Sequence, residues 1–478
     1  MNAEYQIIIG NHLFEGGVMT VLADLTTPQL KKIHSGKVRE SFRVDESRRL
    51  IVATDRISSF DQVLKTPIPG KGAVLNSLAA FWFEKTRDII DNHFIELIDP
   101  NISLVREAKP IKVEMIVRGY LTGSAWRGYQ KGKRVFSGVT IPEGMSKNQP
   151  FPQPIVTPTT KEESDREITP QDLVKEGWVS AELYARMEEA SLRLFARGQE
   201  YLKERGIILV DTKYEFGLLG GKLILIDEIH TPDSSRFWAK EDYEKDALHA
   251  EQLDKEFVRA YLLEHQKDGV FPDTLPDEIV AETTRRYREI YRLITGQTLP
   301  EPDEDIHRRV YANLCQHGLI KPGFVSLIMG SLSDKEHALK ICKIIQDYGI
   351  YCEMRVLSAH KNGERIPELA RVYNQSVEPG AVVAVAGRSN GLGGALAANL
   401  TVPVINCPPF KDKVDMMVNI NSSLMMPSAA PAVTVVDPEN AALAALRSLN
   451  LPSLRRRFQN EIDQMKKDLL HADDQLHA

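Results

Sequence analysis

The chain has 478 residues, more than the ~100–200 typical of one domain, so two or three domains are expected. Its 42% hydrophobic and 26% charged residues exclude a disordered or collagen-like chain. A net charge of −6 argues against a nucleic-acid binder or a polybasic membrane surface. No apolar run approaches a membrane span, and the amino terminus lacks the basic-then-apolar order of a signal peptide. The four cysteines (Cys315, Cys342, Cys352, Cys407) never adopt C-x-x-C spacing, so neither a disulfide framework nor a zinc site is supported. A soluble, cytoplasmic protein is expected.

Residues 1 to about 238 read as α+β, with strands such as Leu50–Thr54, Lys112–Arg118 and Ile207–Phe216 and a long helical region over Ser180–Arg205. Residues 239–318 carry many charges and two helical patterns, Gln252–Gln266 and Asp277–Thr295, separated by Gly269, Pro272 and Pro276. From Phe324 the grammar changes to alternating strand and helix. The apolar runs Phe324–Met329, Val382–Ala386, Val402–Cys407 and Ala432–Val436 predict a parallel sheet with helices on both faces. After Pro452, Leu454, Phe458, Ile462, Met465 and Leu469 fall at helical spacing, an apolar stripe that must dock on something. The expected domains are residues 1–300, a connector over 301–320, and residues 321–478.

Ile207–Phe216, Gly220-Gly221 and Leu223–Ile229 read as a β-hairpin. Alternation puts Asp211, Lys213 and Glu215 on one face. Asp227 joins them only if it pairs with Glu215, which demands an odd loop such as Gly220–Lys222 between paired Leu219 and Leu223. Two carboxylates meeting this way suit Mg²⁺, though the pattern alone is equally that of a solvated hairpin face. Thr231-Pro-Asp-Ser-Ser-Arg236 is either a phosphate clasp or a structural turn. Ser35-Gly-Lys-Val-Arg39 places a glycine beside two cations without being a Walker A loop, and Arg118-Gly-Tyr-Leu-Thr-Gly-Ser124 is by itself a glycine-bearing turn.

Taken in order, Ser35–Arg39, Ala53–Ser59, Arg118–Trp126, Asp211–Glu215 and Asp227–Arg236 resemble the phosphoribosylaminoimidazole-succinocarboxamide synthase (SAICAR synthetase) family over about 240 residues. The resemblance implies an α+β fold with an ATP site between subdomains. It also implies ATP activation of the carboxylate of carboxyaminoimidazole ribotide (CAIR), after which the amine of L-aspartate displaces phosphate. Carried over by position, Lys37 with Ser35 and Gly36 meets the ATP phosphates, and Glu215 and Asp227 hold Mg²⁺. Arg118, Ser124, Asp233, Ser235 and Arg236 bind the ribotide, Asp211 and Lys213 line the reacting centre, and Asp55 and Arg56 match a substrate-side loop.

In the later domain, Phe324–Asp334 is a strand running into a Gly-Ser turn and a helix, with Ser333 and Glu336 as a capping box and Gly349 as the stop. Such a start is an anion site or a simple N-cap. Ser358-Ala-His360-Lys361 and Gly387–Gly394 close the next strands, and the latter holds no G-x-G-x-x-G. Cys407 ends another strand, where a buried thiol is the plainer reading than a nucleophile.

Gly330–Asp334, Ser358–His360 and Gly387-Arg-Ser-Asn-Gly-Leu-Gly393 resemble the phosphoribosylaminoimidazole carboxylase family over about 150 residues. They follow the animal-like branch, which adds CO2 directly to aminoimidazole ribotide (AIR), rather than the bacterial mutase branch acting on N5-CAIR. The chain departs from the pattern at Lys361-Asn-Gly363 and at Gly394–Asn399. The resemblance implies a three-layer, flavodoxin-like domain and no organic cofactor. His360, Lys361 and Ser389 stand at the reacting carbon, with Ser331, Ser333, Asp334, Ser358, Gly387 and Arg388 around the substrate. It also implies a homo-octamer. CAIR made by one domain is the substrate of the other, in the domain order of the animal bifunctional enzyme. A kinase-like reading lacks its motifs, and a scaffold that has lost its chemistry is disfavoured by the retained His360, Lys361 and Ser389.

Overall fold

The computed structural model describes residues 12–14, 17–19, 21–60, 62–162, 166–248, 250, 253–299, 305–387 and 391–477. The chain forms two units: the first reaches Val310, and the second starts at Tyr311 and also takes in Leu25–Lys31.

The first unit holds two main sheets. A five-stranded sheet contains β1 (Lys31–Ser35), β2 (Arg39–Arg43), β3 (Arg48–Ala53), β4 (Phe94–Asp99) and β5 (Ile102–Arg106), in the order β1-β2-β3-β5-β4. Helix α1 (Lys71–Lys85) follows β3. The larger, antiparallel sheet centres on β6 (Lys109–Tyr120), which leads into α2 (Gly123–Gln130). It adds β7 (Pro150–Thr160) and, after α3 (Ala181–Lys203), β8 (Ile207–Leu219), β9 (Lys222–Ile226) and β10 (Ser235–Ala239). Its order is β7-β6-β8-β9, with β10 also on β8 and Arg166–Glu167 outside β7. Then come α4 (Glu256–Glu264), α5 (Asp277–Thr295) and α6 (Ile306–Gln316), whose length spans the boundary at Val310.

Local chemistry explains these elements. Ser180 accepts the N–H of Leu183 at 3.1 Å to start α3, and Gly296, at φ 73°, ends α5. The α3 stripe Tyr184, Met187, Leu194, Phe195 and Leu202 joins Trp82 of α1, Tyr287 and Ile290 of α5 and Tyr214 and Phe216 of β8 in one buried core.

The second unit is a five-stranded parallel sheet of β11 (Phe324–Met329), β12 (Tyr351–Val356), β13 (Gly380–Val385), β14 (Val404–Asn406) and β15 (Val433–Thr434). Its order, β12-β11-β13-β14-β15, is the flavodoxin-like arrangement. β11 and β13 are buried at every position, because helices cover both faces. Helices α7 (Lys335–Asp347), α11 (Pro438–Ser448) and α12 (Pro452–His477) pack on one face, and α8 (Ile366–Asn374) and α9 (Gly391–Ala397) on the other. Helix α10 (Lys413–Leu424) precedes β15.

The α12 stripe docks only in part. Leu454 and Phe458 are buried, with Phe458 against Tyr348, whereas Met465 is 60% and Leu469 65% exposed. The cap before α7 also differs from expectation. Ser331, not Ser333, is the acceptor, taking the N–H of Ser333 at 3.3 Å and its hydroxyl at 2.9 Å. A short 3₁₀ turn, Leu332–Asp334, intervenes, so the α-helix starts one residue later, at Lys335.

Candidate active sites

Strand register gathers the charges of the first unit. β6 and β8 set Glu114 opposite Glu215, Ile116 opposite Lys213 and Arg118 opposite Asp211, while β10 sets Arg236 opposite Asp211. Directly opposed side chains share a face ~5 Å apart. Of these, Glu114, Ile116, Arg118, Asp211, Lys213 and Arg236 line a cleft of about 520 Å³ with Lys37, Ser124, Asp233 and Ser235.

One end is cationic. Arg236 Nη1 donates to Asp211 Oδ2 at 2.6 Å, and Arg118 Nη1 lies 3.7 Å from the same oxygen. Asp211 outweighs burial and keeps Arg236 firmly charged. Burial lowers Arg118, with Asp211 opposing it. Gly123, at φ 56°, approaches so closely that a Cβ there would stand 2.5 Å from the Arg236 guanidinium. The start of α2 therefore meets the Arg236 guanidinium, and Ser124 and Arg118 line the same cleft, a natural seat for a phosphate.

The other end alternates in sign. Lys213 Nζ lies 3.2 Å from Glu114, and Lys161 pairs with Glu215 while reaching Glu114 at 3.7 Å. Arg39 bridges Asp227 at 2.7 Å and Glu228 at 2.5 Å. Burial, and then the charge of Asp227, pushes the Glu215 carboxyl up to about 8. Burial would raise Asp227 as well, but Arg39 and Lys161 hold it below the usual range.

The expected odd hairpin loop is absent. Gly220 and Gly221, at φ 57° and 83°, form a two-residue loop between paired Leu219 and Lys222, so Glu215 pairs with Ile226. Asp227 meets Glu215 electrostatically because its own backbone is left-handed, at φ 67°, which breaks the strand's alternation.

Other expected residues take different places. Ser35 and Lys37 are exposed and Gly36 is half-buried. Asp55 does not line the cleft. It is fully buried, accepting the N–H groups of Leu22 at 2.9 Å and Gly72 at 2.8 Å, and burial raises it to about 6. Its carboxylate ties the first turn of α1 to the preceding strand end. Arg56 donates to Thr54 and to the Gly36 carbonyl, bracing the Ser35–Arg39 loop from behind. Asp233 takes Lys71 at 2.9 Å and the Tyr287 hydroxyl at 2.7 Å; against burial, the nearby amines of Lys255 and then Lys71, with these hydrogen bonds, hold its carboxyl well below the usual range. The Ser235 and Thr212 hydroxyls are hydrogen-bonded to each other at 2.7 Å.

Sequence reasoning missed Glu114, Lys161 and Lys255, which only pairing and packing bring in. Glu114 carried one signal: it is four residues from Arg118 on a strand, hence on the same face.

In the second unit the carboxyl ends of the parallel strands share an edge. β11 lies between β12 and β13, so the Ser331–Asp334, Ser358–Lys361 and Gly387 turns are neighbours. Ser358 N–H donates to Asn362 Oδ1 at 2.8 Å, closing its turn, and His360 and Lys361 are exposed. A Cβ at Gly391 would come within 2.9 Å of the His360 ring, so a glycine at the start of α9 lets the imidazole lie against it. Burial raises the Asp334 carboxyl. Arg388 and Ser389 lie outside the described residues. Cys407 is fully buried, 3.2 Å from His337 Nε2, and burial pushes its thiol up to about 12, leaving it inert.

Residues 32–271 match the family model for SAICAR synthetase, and residues 324–469 that for AIR carboxylase. A phosphoribosylaminoimidazole-succinocarboxamide synthase of Bacteroides fragilis is 44% identical over 301 residues, 61% of this chain and 96% of the relative. The SAICAR synthase of Saccharomyces cerevisiae, solved with SAICAR, is 35% identical over 57% of this chain and 97% of its own, with a TM-score of 0.52. A crystal structure of Treponema denticola PurE is 32% identical over 33% of this chain and 99% of its own, with a TM-score of 0.30. By the match over residues 32–271 the chain belongs to the SAICAR synthetase family, and it carries an AIR carboxylase domain behind that one.

Proposed function

We propose that the chain performs consecutive steps of purine synthesis: the second unit carboxylates AIR with CO2 to CAIR, and the first joins L-aspartate to CAIR with ATP, giving SAICAR, ADP and phosphate. The observation that carries the ligase reading is a cationic cluster of Arg118, Ser124 and Arg236 lining the cleft, with the carboxylates Glu215 and Asp227 facing each other electrostatically farther along β8 and just past β9. The first fits an anionic ribotide. The second fits a hard cation, since Glu215, raised by burial and then by the charge of Asp227, gains together with Asp227 from a divalent ion between them. Glu215 and Asp227 would hold Mg²⁺, which would supply charge neutralisation for phosphoryl transfer.

The chain's residues do the rest. Lys37, beside Ser35 and Gly36, meets the nucleotide phosphates. Asp211 holds both guanidiniums toward the ribotide, assisted by Ser235, while Asp233 fixes the turn that carries them. Lys213 steadies the carboxylate as it becomes an acyl phosphate, a leaving group that aspartate's amine displaces. Asp55 and Arg56 support the site at one remove, through α1 and the Ser35–Arg39 loop.

In the second unit, CO2 adds to an electron-rich ring carbon of AIR, and the proton left there must go. His360 is placed to take it, with Lys361 and Ser389 holding the new carboxylate. Ser331, Ser333 and Asp334 receive the phosphate, and Ser358, Gly387 and Arg388 frame the ribotide. We read the assembly as a cytoplasmic homo-octamer. Phosphate release that requires CAIR, aspartate and Mg–ATP together tests the ligase, and CAIR formation from AIR and bicarbonate without ATP tests the carboxylase. Turnover of N5-CAIR alone would assign the second unit to the mutase branch.

A further inference from the structure

The cleft of the first unit holds a lysine that the motifs leave out. Lys255 stands directly before α4 and lines the cleft together with Asp211, Lys213 and Arg236, with 9% of its side chain exposed. Its Nζ lies 3.7 Å from Asp233 Oδ2, beyond hydrogen-bonding distance. Asp233 already has closer partners: Lys71 sits 2.9 Å from the same oxygen, and the Tyr287 hydroxyl donates to the other at 2.7 Å. The charged groups facing Lys255 are Asp233 and Glu228 from the segment between β9 and β10, Lys71 from α1, and Arg259 from its own helix. Burial, aided by Lys71 and Arg259 against the pull of Asp233 and Glu228, brings its amine down to about 8. A lysine so placed exchanges a proton near neutral pH.

We propose that Lys255 accepts a proton from the amine that attacks the acyl phosphate. The proposal rests on the ligase reading of the first unit. Aspartate's nitrogen enters as an ammonium ion and must shed two protons, one to water to free its lone pair and one as the amide forms. In the second loss, nitrogen bonds to the acyl carbon, the carbon–oxygen bond to phosphate breaks, and phosphate leaves with the electron pair. The nitrogen's proton passes to the neutral Lys255 amine, which becomes ammonium and returns it to water. Lys255 thus contributes a titrating group to a cleft in which Arg118 and Arg236 serve the ribotide and Lys213 the reacting carboxylate.

The test uses the full chain with CAIR and Mg–ATP saturating and aspartate varied. Lys255→Arg keeps a cation but removes the titration, and Lys255→Met removes both. Wild-type kcat should rise along a limb centred near 8. Lys255→Arg should lose that limb and fall about 10²–10⁴-fold in kcat, the usual contribution of a positioned base, while KM for aspartate moves less than about threefold. Retained binding of Mg–ATP by calorimetry certifies that the first unit is folded, and Lys255→Met supplies the same reading if the arginine does not fit. If Lys255→Arg keeps kcat and the limb while Lys255→Met raises KM for aspartate, the lysine only binds substrate and the proposal falls. A wild-type protein that releases no phosphate from CAIR, aspartate and ATP would reject the ligase reading instead.

Discussion

Replacing Asp211 by asparagine removes one negative charge and keeps the side chain's shape. In the folded chain one oxygen of Asp211 accepts from Arg236 at 2.6 Å and faces Arg118 at 3.7 Å. All three side chains are largely buried, with exposures of 7%, 17% and 12%. Without the charge, two guanidiniums face each other across a neutral amide and turn away from the ribotide. A hydrogen bond to a charged group contributes about 1.5–3 kcal/mol, which corresponds to roughly 10–150-fold in kcat/KM at 1.4 kcal/mol per tenfold. Phosphate release at limiting CAIR, with aspartate and Mg–ATP saturating, measures it. Carboxylation of AIR in the same preparation should stay at the wild-type rate, since that chemistry belongs to the other unit. A loss below about threefold would mean that the Arg236–Asp211 pair does not position the ribotide.

Glu215→Gln and Asp227→Asn should each abolish Mg–ATP-dependent amide synthesis and spare carboxylation; near-normal synthesis in both variants would reject the metal site. His360→Asn should cut carboxylation by about 10²–10⁴-fold while amide synthesis from supplied CAIR stays near wild type, and more than a tenth of the wild-type carboxylation rate would point to another base. A Cβ at Gly393 would fall 1.9 Å from Oδ1 of the fully buried Asn406. Gly393→Ala should therefore destabilise the second unit by about 1–3 kcal/mol, read as an earlier thermal loss of carboxylation, with partial recovery in Gly393→Ala/Asn406→Ala. Met465 and Leu469 lie exposed at α12, so light scattering should give a mass well above one chain, and 53.8 kDa would contradict the octamer.

Much of the fold was legible because its signals are local. Asp277–Thr295 and Phe324–Met329 form where their periodicity places them, and Ser180, Gly296 and Gly349 mark helix ends by the chemistry of their own side chain or backbone. The hairpin register was not legible. Two glycines serve a two- or a three-residue loop equally well, and a left-handed aspartate at 227 carries no mark in the sequence. The motif residues of the first site announced themselves by spacing within single segments. Glu114, Lys161, Lys71 and Lys255 did not, because they reach Lys213, Glu215 and Asp233 from other strands and helices. Asp55 looked like a ligand for the opposite reason: a carboxylate beside arginine in a loop gives no sign that two backbone N–H groups will claim it.

The most direct measurement supplies the purified full chain with AIR, bicarbonate, L-aspartate and Mg–ATP and follows products over time. CAIR should form when ATP is withheld, and adding ATP should convert it to SAICAR with one ADP and one phosphate per amide. ATP consumption during the first step, or accumulation of CAIR with no phosphate released in the second, would contradict the assignment of two successive activities to this chain.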